Sequence, residues 1–208
     1  MHAISRVSGL AATVALVLGA TAPTQAQASP HSAPQAKIDA PATYTTTILV
    51  EDLDARGHVI ASETIKGRPE SIGTPQTIKG GARPLMDSGG GGLPSASGCR
   101  TLTVTNKTTT TLGFTAFKFI TETSWCWNLK QDKTTLNSAV VRVADVDAQY
   151  RYRGLNNTFN QNIAHGKRVY RQGFFENCVV KYGCIGAYYP SNDSSVFASG
   201  MWSWTTNG

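Results

Sequence analysis

The run Thr101-Leu102-Thr103-Val104-Thr105 decides the fold class. Apolar residues alternate with threonine at a period of two, the spacing of a half-buried β-strand. β-Branched residues favour that state because their stiff side chains pack well on a pleated surface. Asn106-Lys107-Thr108 is able to turn, and Leu112, Phe114, Phe117 and Phe119 supply a second strand. The apolar positions switch parity between Phe114 and Phe117, which predicts a bulge near Ala116. Trp125-Cys126-Trp127 ends that segment or opens a third strand, and residues 140–153, 167–175 and 196–205 are further strand candidates. No stretch shows a 3.6-residue period. The expectation is an all-β domain over residues 99–208, an antiparallel β-sandwich of Ig-like or jelly-roll-like kind.

Working outward, residues 44–66 form an expected β-hairpin. Tyr44, Thr46, Ile48 and Val50 alternate with Thr45, Thr47, Leu49 and Glu51, and Asp54-Ala55-Arg56-Gly57 is turn-like. Gly57 suits the positive φ of such a turn. A lone hairpin is marginal in water, so it is expected to dock on something. Residues 67–98 read as a flexible linker with four prolines and the run Gly89-Gly90-Gly91-Gly92. No Gly-Lys-Ser/Thr follows that run, so it is not a phosphate loop. Residues 29–43 are Pro/Ala/Ser-rich and read as a disordered leader.

Residues 1–28 read as a secretory signal peptide. Arg6 charges a short n-region, residues 7–20 are uncharged and rich in Ala, Val and Leu, and Ala26-Gln27-Ala28 is a small-x-small cleavage site. Cleavage is expected after Ala28. No later segment reaches the ~20 apolar residues of a membrane span, so the mature chain is expected to be soluble and extracellular. Export sets the redox context. Cys99, Cys126, Cys178 and Cys184 are all in the mature part, and an even count there suggests two disulfides. Four cysteines allow three pairings, of which Cys99–Cys126 and Cys178–Cys184 tie neighbours along the chain. A zinc site would want close Cys or His pairs, and no CxxC is present.

The whole chain carries +6, with 19 Lys and Arg against 13 Asp and Glu. Residues 99–208 hold twelve of these cations and only six of the acids, so the basic character belongs to the β domain. For an exported protein the anionic partners to consider are wall polymers, anionic head groups and extracellular polyanions. Arg168, Arg171 and Lys181 interleave with Tyr170, Phe174 and Tyr182, a mixture that also serves single-stranded nucleic acid. For a secreted chain nucleic acid is not expected.

Catalytic constellations are sparse. On a continuous strand over 140–153, Asp145 and Asp147 would share a face ~7 Å apart, within the range of an inverting glycosidase pair. Arg151 and Arg153 share that face, however, and favour a plain charged surface. Of the histidines only His165 sits in the β domain, in a loop-like Asn162-Ile163-Ala164-His165-Gly166, and no Gly-x-Ser-x-Gly elbow accompanies it. No catalytic residue, metal or cofactor is assigned on this basis. Strand alternation puts Trp125 and Trp127 on one face with Cys126 on the other, and Trp202 and Trp204 flank Ser203 in the same way. Each pair is either core or an exposed sugar-stacking platform.

The stretch Arg171-Gln172-Gly173-Phe174-Phe175-Glu176-Asn177-Cys178, followed by Val179-Val180-Lys181-Tyr182-Gly183-Cys184 and Ile185-Gly186-Ala187-Tyr188-Tyr189-Pro190, resembles small secreted actinobacterial β-rich proteins of unknown function. Trp125-Cys126-Trp127 upstream and Gly200-Met201-Trp202 near the end belong to the same likeness, which covers residues 99–208. It implies export and a β-rich fold, and it carries no catalytic or binding residues over.

The leading expectation is therefore a monomeric, secreted, non-catalytic binding protein for a glycan or cell-wall polymer, with the candidate binding residues Trp125, Trp127, Trp202 and Trp204. A secreted hydrolase using Asp145, Asp147 or Glu176 is one alternative. An extracellular inhibitor or antibacterial effector acting through a protein surface is the other. Intact-mass analysis of the exported protein is expected to give a chain beginning at Ser29, and a chain retaining residues 7–20 would remove the signal peptide from this account.

Overall fold

The computed structural model describes residues 41–73, 76–78, 96–179 and 182–208. Among these described residues twelve strands follow in chain order: β1 (Pro41–Leu53), β2 (Val59–Lys66), β3 (Glu70–Ser71), β4 (Gln76–Ile78), β5 (Ser97–Thr110), β6 (Thr115–Asn128), β7 (Lys133–Ala144), β8 (Tyr150–Ile163), β9 (Gly166–Val179), β10 (Gly183–Tyr188), β11 (Ser191–Phe197) and β12 (Trp202–Asn207). They build two antiparallel sheets. The first has the order β2-β1-β5-β6-β7, with β3 beside β1. In the second, β8 lies along one edge of β9, while β11 and β10 share its other edge, and β12 and β4 follow β11.

β10 and β11 keep one register against β9. Tyr188 opposes Phe175, Ser191 opposes Gln172, and between them Gly173 N–H donates to the Pro190 carbonyl at 2.9 Å. Pro190 has no N–H to give, so the two strands read as one ladder with a proline break. From β5 to β9 each strand is the neighbour of the next, apart from the crossing between sheets after β7. The likeness to an Ig or jelly-roll sandwich lies in the two-sheet packing and not in this strand order.

Alternation places one face of each strand inside. On β6 the buried positions run Phe117, Phe119, Thr121, Thr123, Trp125 and Trp127. The bulge is where the parity switch puts it, since Thr108 opposes Phe117 and Thr109 opposes Thr115, leaving Ala116 unmatched. One apolar cluster joins Ile48, Val50, Leu102, Val104, Trp125 and Trp127 of the first sheet to Val196, Trp202 and Trp204 of the second. The other joins Ala116, Phe117 and Phe119 to Tyr150 and Phe175. There the Phe117 and Phe175 rings stack across the sheets at 3.9 Å and 9°.

A polar layer separates the two clusters along β6. Thr46 and Thr206 hydroxyls meet at 2.9 Å. The Asn192 amide donates to Thr121 Oγ1 at 3.1 Å and to the Val104 carbonyl at 3.4 Å. The Asn106 amide donates to the Asn207 carbonyl at 3.0 Å. Both disulfides join residues that are direct ladder partners, Cys99–Cys126 between β5 and β6 and Cys178–Cys184 between β9 and β10.

Several boundaries differ from the sequence reading. Residues 44–66 do not precede the sandwich as an appendage. β1 pairs with β2 on one side and with β5 on the other, so this segment is part of the first sheet. Residues 41–43, assigned to the leader, belong to β1. Within the expected linker 67–98, residues 70–71 pair with β1 and residues 76–78 pair with β12, while the β5 pairing already begins at Ser97. The rest of that linker, 74–75 and 79–95, lies outside the described residues, as do the signal peptide and leader up to residue 40. The single strand expected over 140–153 is two strands on different sheets, joined by 145–149. The one expected over 196–205 is the β11–β12 hairpin, whose turn holds Gly200 at φ +77°. Leu112 and Phe114 sit at an exposed turn rather than in a strand, beside Gly113 at φ +88°.

Close packing at the sheet interface makes one glycine a sharp test. A Cβ on Gly173 would lie 2.8 Å from the Phe119 ring, which is fully buried and has no room to retreat. Gly173→Ala is expected to destabilise by about 1–3 kcal/mol through overpacking, read as a lower midpoint in guanidinium unfolding. An unchanged midpoint would mean that the two sheets are not packed at this separation.

Candidate functional site

Burial decides the tryptophan question first. Trp125 is 0% exposed, Trp127 9%, Trp202 4% and Trp204 2%. All four candidate binding residues are core, and Cys126 lies on the opposite, outer face of β6 with its disulfide. The reason is alternation itself, because Cys126 can bond Cys99 on the outer face without displacing either indole. Arg100 is buried beside them. Its guanidinium pairs with Asp52, donates to the Gly200 carbonyl at 2.8 Å and lies 5.2 Å from the Trp127 ring centroid.

The candidate carboxylates are separated and engaged. Asp145 and Asp147 lie in the β7–β8 connection and not on a strand, with Asp145 at φ +49°. Asp145 pairs with Lys118 at 2.5 Å, and Asp147 accepts from the Gln149 N–H at 2.9 Å. Glu176, on the outer face of β9, pairs with Arg153 at 2.6 Å. His165 occupies the β8–β9 turn at φ +59°, where its Nδ1 lies 2.7 Å from Asp132. A general acid needs a carboxyl kept neutral by burial, and none of these three acids is placed that way. Glu176, Cys178 and Cys184 bring ligand-type atoms within 4.8 Å of one another. The two sulfurs are bonded to each other, so the group is a disulfide beside an ion pair and not a metal ligand set.

The outer face of β9 carries a different arrangement, which sequence reasoning did not assemble. Phe159 of β8 stacks on its ladder partner Tyr170 at 5.1 Å and 11°. Tyr189, just before the proline break, stacks on Phe174 at 5.3 Å and 8°. Between the two aromatic pairs the Asn156 amide donates to Gln172 Oε1 at 2.8 Å. Tyr170 and Phe174 are four residues apart on one strand, about 13 Å along it. Arg168 caps the first pair, its guanidinium 5.4 Å from the Phe159 centroid and doubly bonded to Asp193, at 2.9 Å and 2.5 Å. That ion pair also holds the Arg168 pKa above its ordinary value. Phe159, Tyr170 and Phe174 are half-buried and Tyr189 is exposed, so the rings are packed on one side and reachable on the other. The alternation of Tyr170, Gln172 and Phe174 was readable. The ring partners Phe159 and Tyr189 come from other strands and needed the register.

Beside this face, the edge strands β7 and β8 border a cleft of about 420 Å³. Thr134 and Leu136 line it from the first sheet, and Asn160, Asn162 and Lys167 from the second, with Lys133, Thr135 and Gln161 also bordering it. Further along the same seam lies Arg171, 7% exposed, reaching the Ala139 carbonyl on β7 at 3.3 Å and the Phe159 carbonyl on β8 at 3.1 Å. Burial pushes its pKa down. No family model, curated protein or solved structure matches this chain. Among the described residues no helix is long and apolar enough to cross a membrane.

The burial of the indoles has a direct optical consequence. Acrylamide is expected to quench the folded protein's tryptophan emission weakly, and strongly only after guanidinium unfolding. Strong quenching of the native protein would return the indoles to the surface.

Proposed function

We propose that the protein is a secreted, non-catalytic binder of a glycan or cell-wall polymer, and that the ligand lies on the outer face of β8, β9 and the β10–β11 ladder. The observation that carries this reading is the pair of stacked aromatic couples, Phe159–Tyr170 and Phe174–Tyr189, with an amide couple between them. Ring faces and edges present apolar area to the C–H groups of a sugar, while Gln172, Asn156 and the Arg168–Asp193 pair offer donors and acceptors to its hydroxyls. Stacking the rings on each other fixes them before ligand arrives, which lowers the ordering cost of binding. The disulfides are compatible with the oxidising compartment that this role requires.

A second reading has its own support. Leu112 and Phe114 stand 68% and 66% exposed at the β5–β6 turn, an apolar tip that suits a protein partner. It favours the inhibitor or effector class. The hydrolase reading has no comparable feature, because its three acids are engaged as described above.

The test is a pull-down of the full protein with insoluble cell-wall material at low salt and at about 1 M NaCl, where charges reach only ~3 Å. Binding is expected to fall but persist in high salt, because stacking does not depend on net charge. Tyr170→Ala combined with Phe174→Ala is expected to abolish the salt-resistant part while the protein stays folded. A folded double variant that binds like the parent would reject this face, and loss of binding in Leu112→Ser with Phe114→Ser instead would favour the protein-partner reading.

A further inference from the structure

We propose that the cleft between β7 and β8 is a separate subsite for an acidic group, a carboxylate or phosphate carried on the bound polymer. It rests on the polymer-binding reading for the identity of the carrier, but its own observations are different ones.

The cleft opens where two sheets meet without pairing. Ladder partners share a face, so Lys167 and Asn162, which oppose each other on β9 and β8, project to the same side. Val169, two residues on from Lys167, is core, so that side is the inner one. Lys167 Nζ donates to Asn162 Oδ1. That amide orients the ammonium without neutralising it. Lys133 borders the cleft from β7, and no Asp or Glu lines it. The carboxylate next to Lys133 in the chain, Asp132, is turned to His165 at 2.7 Å.

Arg171 is the independent observation. Its side chain is more than nine-tenths buried and bridges the two edge strands, yet its acceptors are three backbone carbonyls: Phe159, Tyr170 and Ala139. Carbonyls satisfy N–H groups but bring only partial charge. Among the described residues no carboxylate pairs with it, in contrast to Arg100, which has Asp52. An uncompensated buried cation is costly by itself. Together with Lys167, two positions beyond Val169 in the other direction, it leaves one wall of the seam positive along its length. A low-dielectric wall of one sign draws counter-charge from solution. The cleft lies beside Gln161 and Phe159 of β8, so a polymer on the aromatic face reaches it without leaving that strand.

Three soluble polymers test this with the full-length exported protein: polygalacturonate, the same polymer methyl-esterified, and poly(glycerol phosphate). The parent is expected to bind polygalacturonate more tightly than its neutral ester at low salt. Lys133→Gln combined with Lys167→Gln is expected to weaken the acidic polymer about tenfold, the scale of one lost charge-assisted hydrogen bond, and to leave the ester unchanged. The Tyr170 and Phe174 double variant is expected to weaken both. The poly(glycerol phosphate) arm tells phosphate from carboxylate, since the lysine variant loses whichever acid the cleft accepts. Equal affinity of the parent for acid and ester overturns the subsite, as does a folded lysine variant that binds both acidic polymers like the parent. Failure of the aromatic variant alone to weaken binding overturns the outer-face reading and leaves the cleft standing. Unchanged thermal midpoints of the variants exclude misfolding as the cause.

Discussion

Trp125 and Trp127 on β6 share one buried apolar cluster with Trp202 and Trp204 on β12, and the sandwich closes that cluster off from water. Each large aromatic removes ~150–250 Å² from water, worth about 4–6 kcal/mol at ~25 cal/mol per Å² as an upper figure. Trp125 and Trp204 also bury an indole N–H with no partner among the described residues. An unsatisfied donor costs about 1–3 kcal/mol, so burial wins at both positions. The same packing dictates small neighbours. A Cβ on Gly98 or Gly200 would meet the Trp127 ring at under 3 Å, 2.7 and 2.8 Å respectively.

Once the indoles fill one end of the interior, the outer faces are left to do something else. β9 is the strand on which both uses are visible. Its inward positions change from Lys167 to Val169, Arg171, Gly173 and Phe175, from cation at the open seam to aromatic core. Its outward positions carry Arg168, Tyr170, Gln172 and Phe174. Two buried arginines mark the difference between structure and surplus charge. Arg100 opposes Asp52 directly across the β1–β5 ladder, whereas Arg171 faces carbonyls only.

The sandwich was legible where a strand is half-buried, because alternation then survives in the sequence. Thr101 to Thr105 and the Phe117, Phe119 pair read correctly for that reason, down to the bulge at Ala116. Asp145 and Asp147 misled because Val146, Ala148, Tyr150 and Tyr152 alternate with charged and polar residues straight through a connection whose backbone turns at Asp145. Local pattern does not register that turn, since Asp145 takes its positive φ without a glycine to announce it, and the hydrogen bonds that close the connection at Asp147 leave no mark in the alternation. The hairpin at residues 44–66 was visible, but its place inside the first sheet was not. Pairing between β1 and β5 is a long-range choice, and no residue in either strand names the other. The candidate face escaped for the same reason. Phe159, Tyr170, Phe174 and Tyr189 become neighbours only when register brings three segments side by side, and sequence reading looked for tryptophan.

The hydroxyl contact between Thr46 and Thr206 spans 160 positions of the chain. It lies in the layer where misalignment is least tolerated, since an amide or hydroxyl shifted into the apolar clusters would lose its partner. β1 therefore sits in the first sheet beside a late-arriving β5, and its inner face finds its hydroxyl partner only when β12 is in place. Closing so long a loop comes before the contact that rewards it, the circumstance that makes β-topologies slow to fold. The polar layer is therefore completed only when the first and the last of the described strands meet, so the inner face of β1 depends on a segment at the far end of the sandwich's sequence.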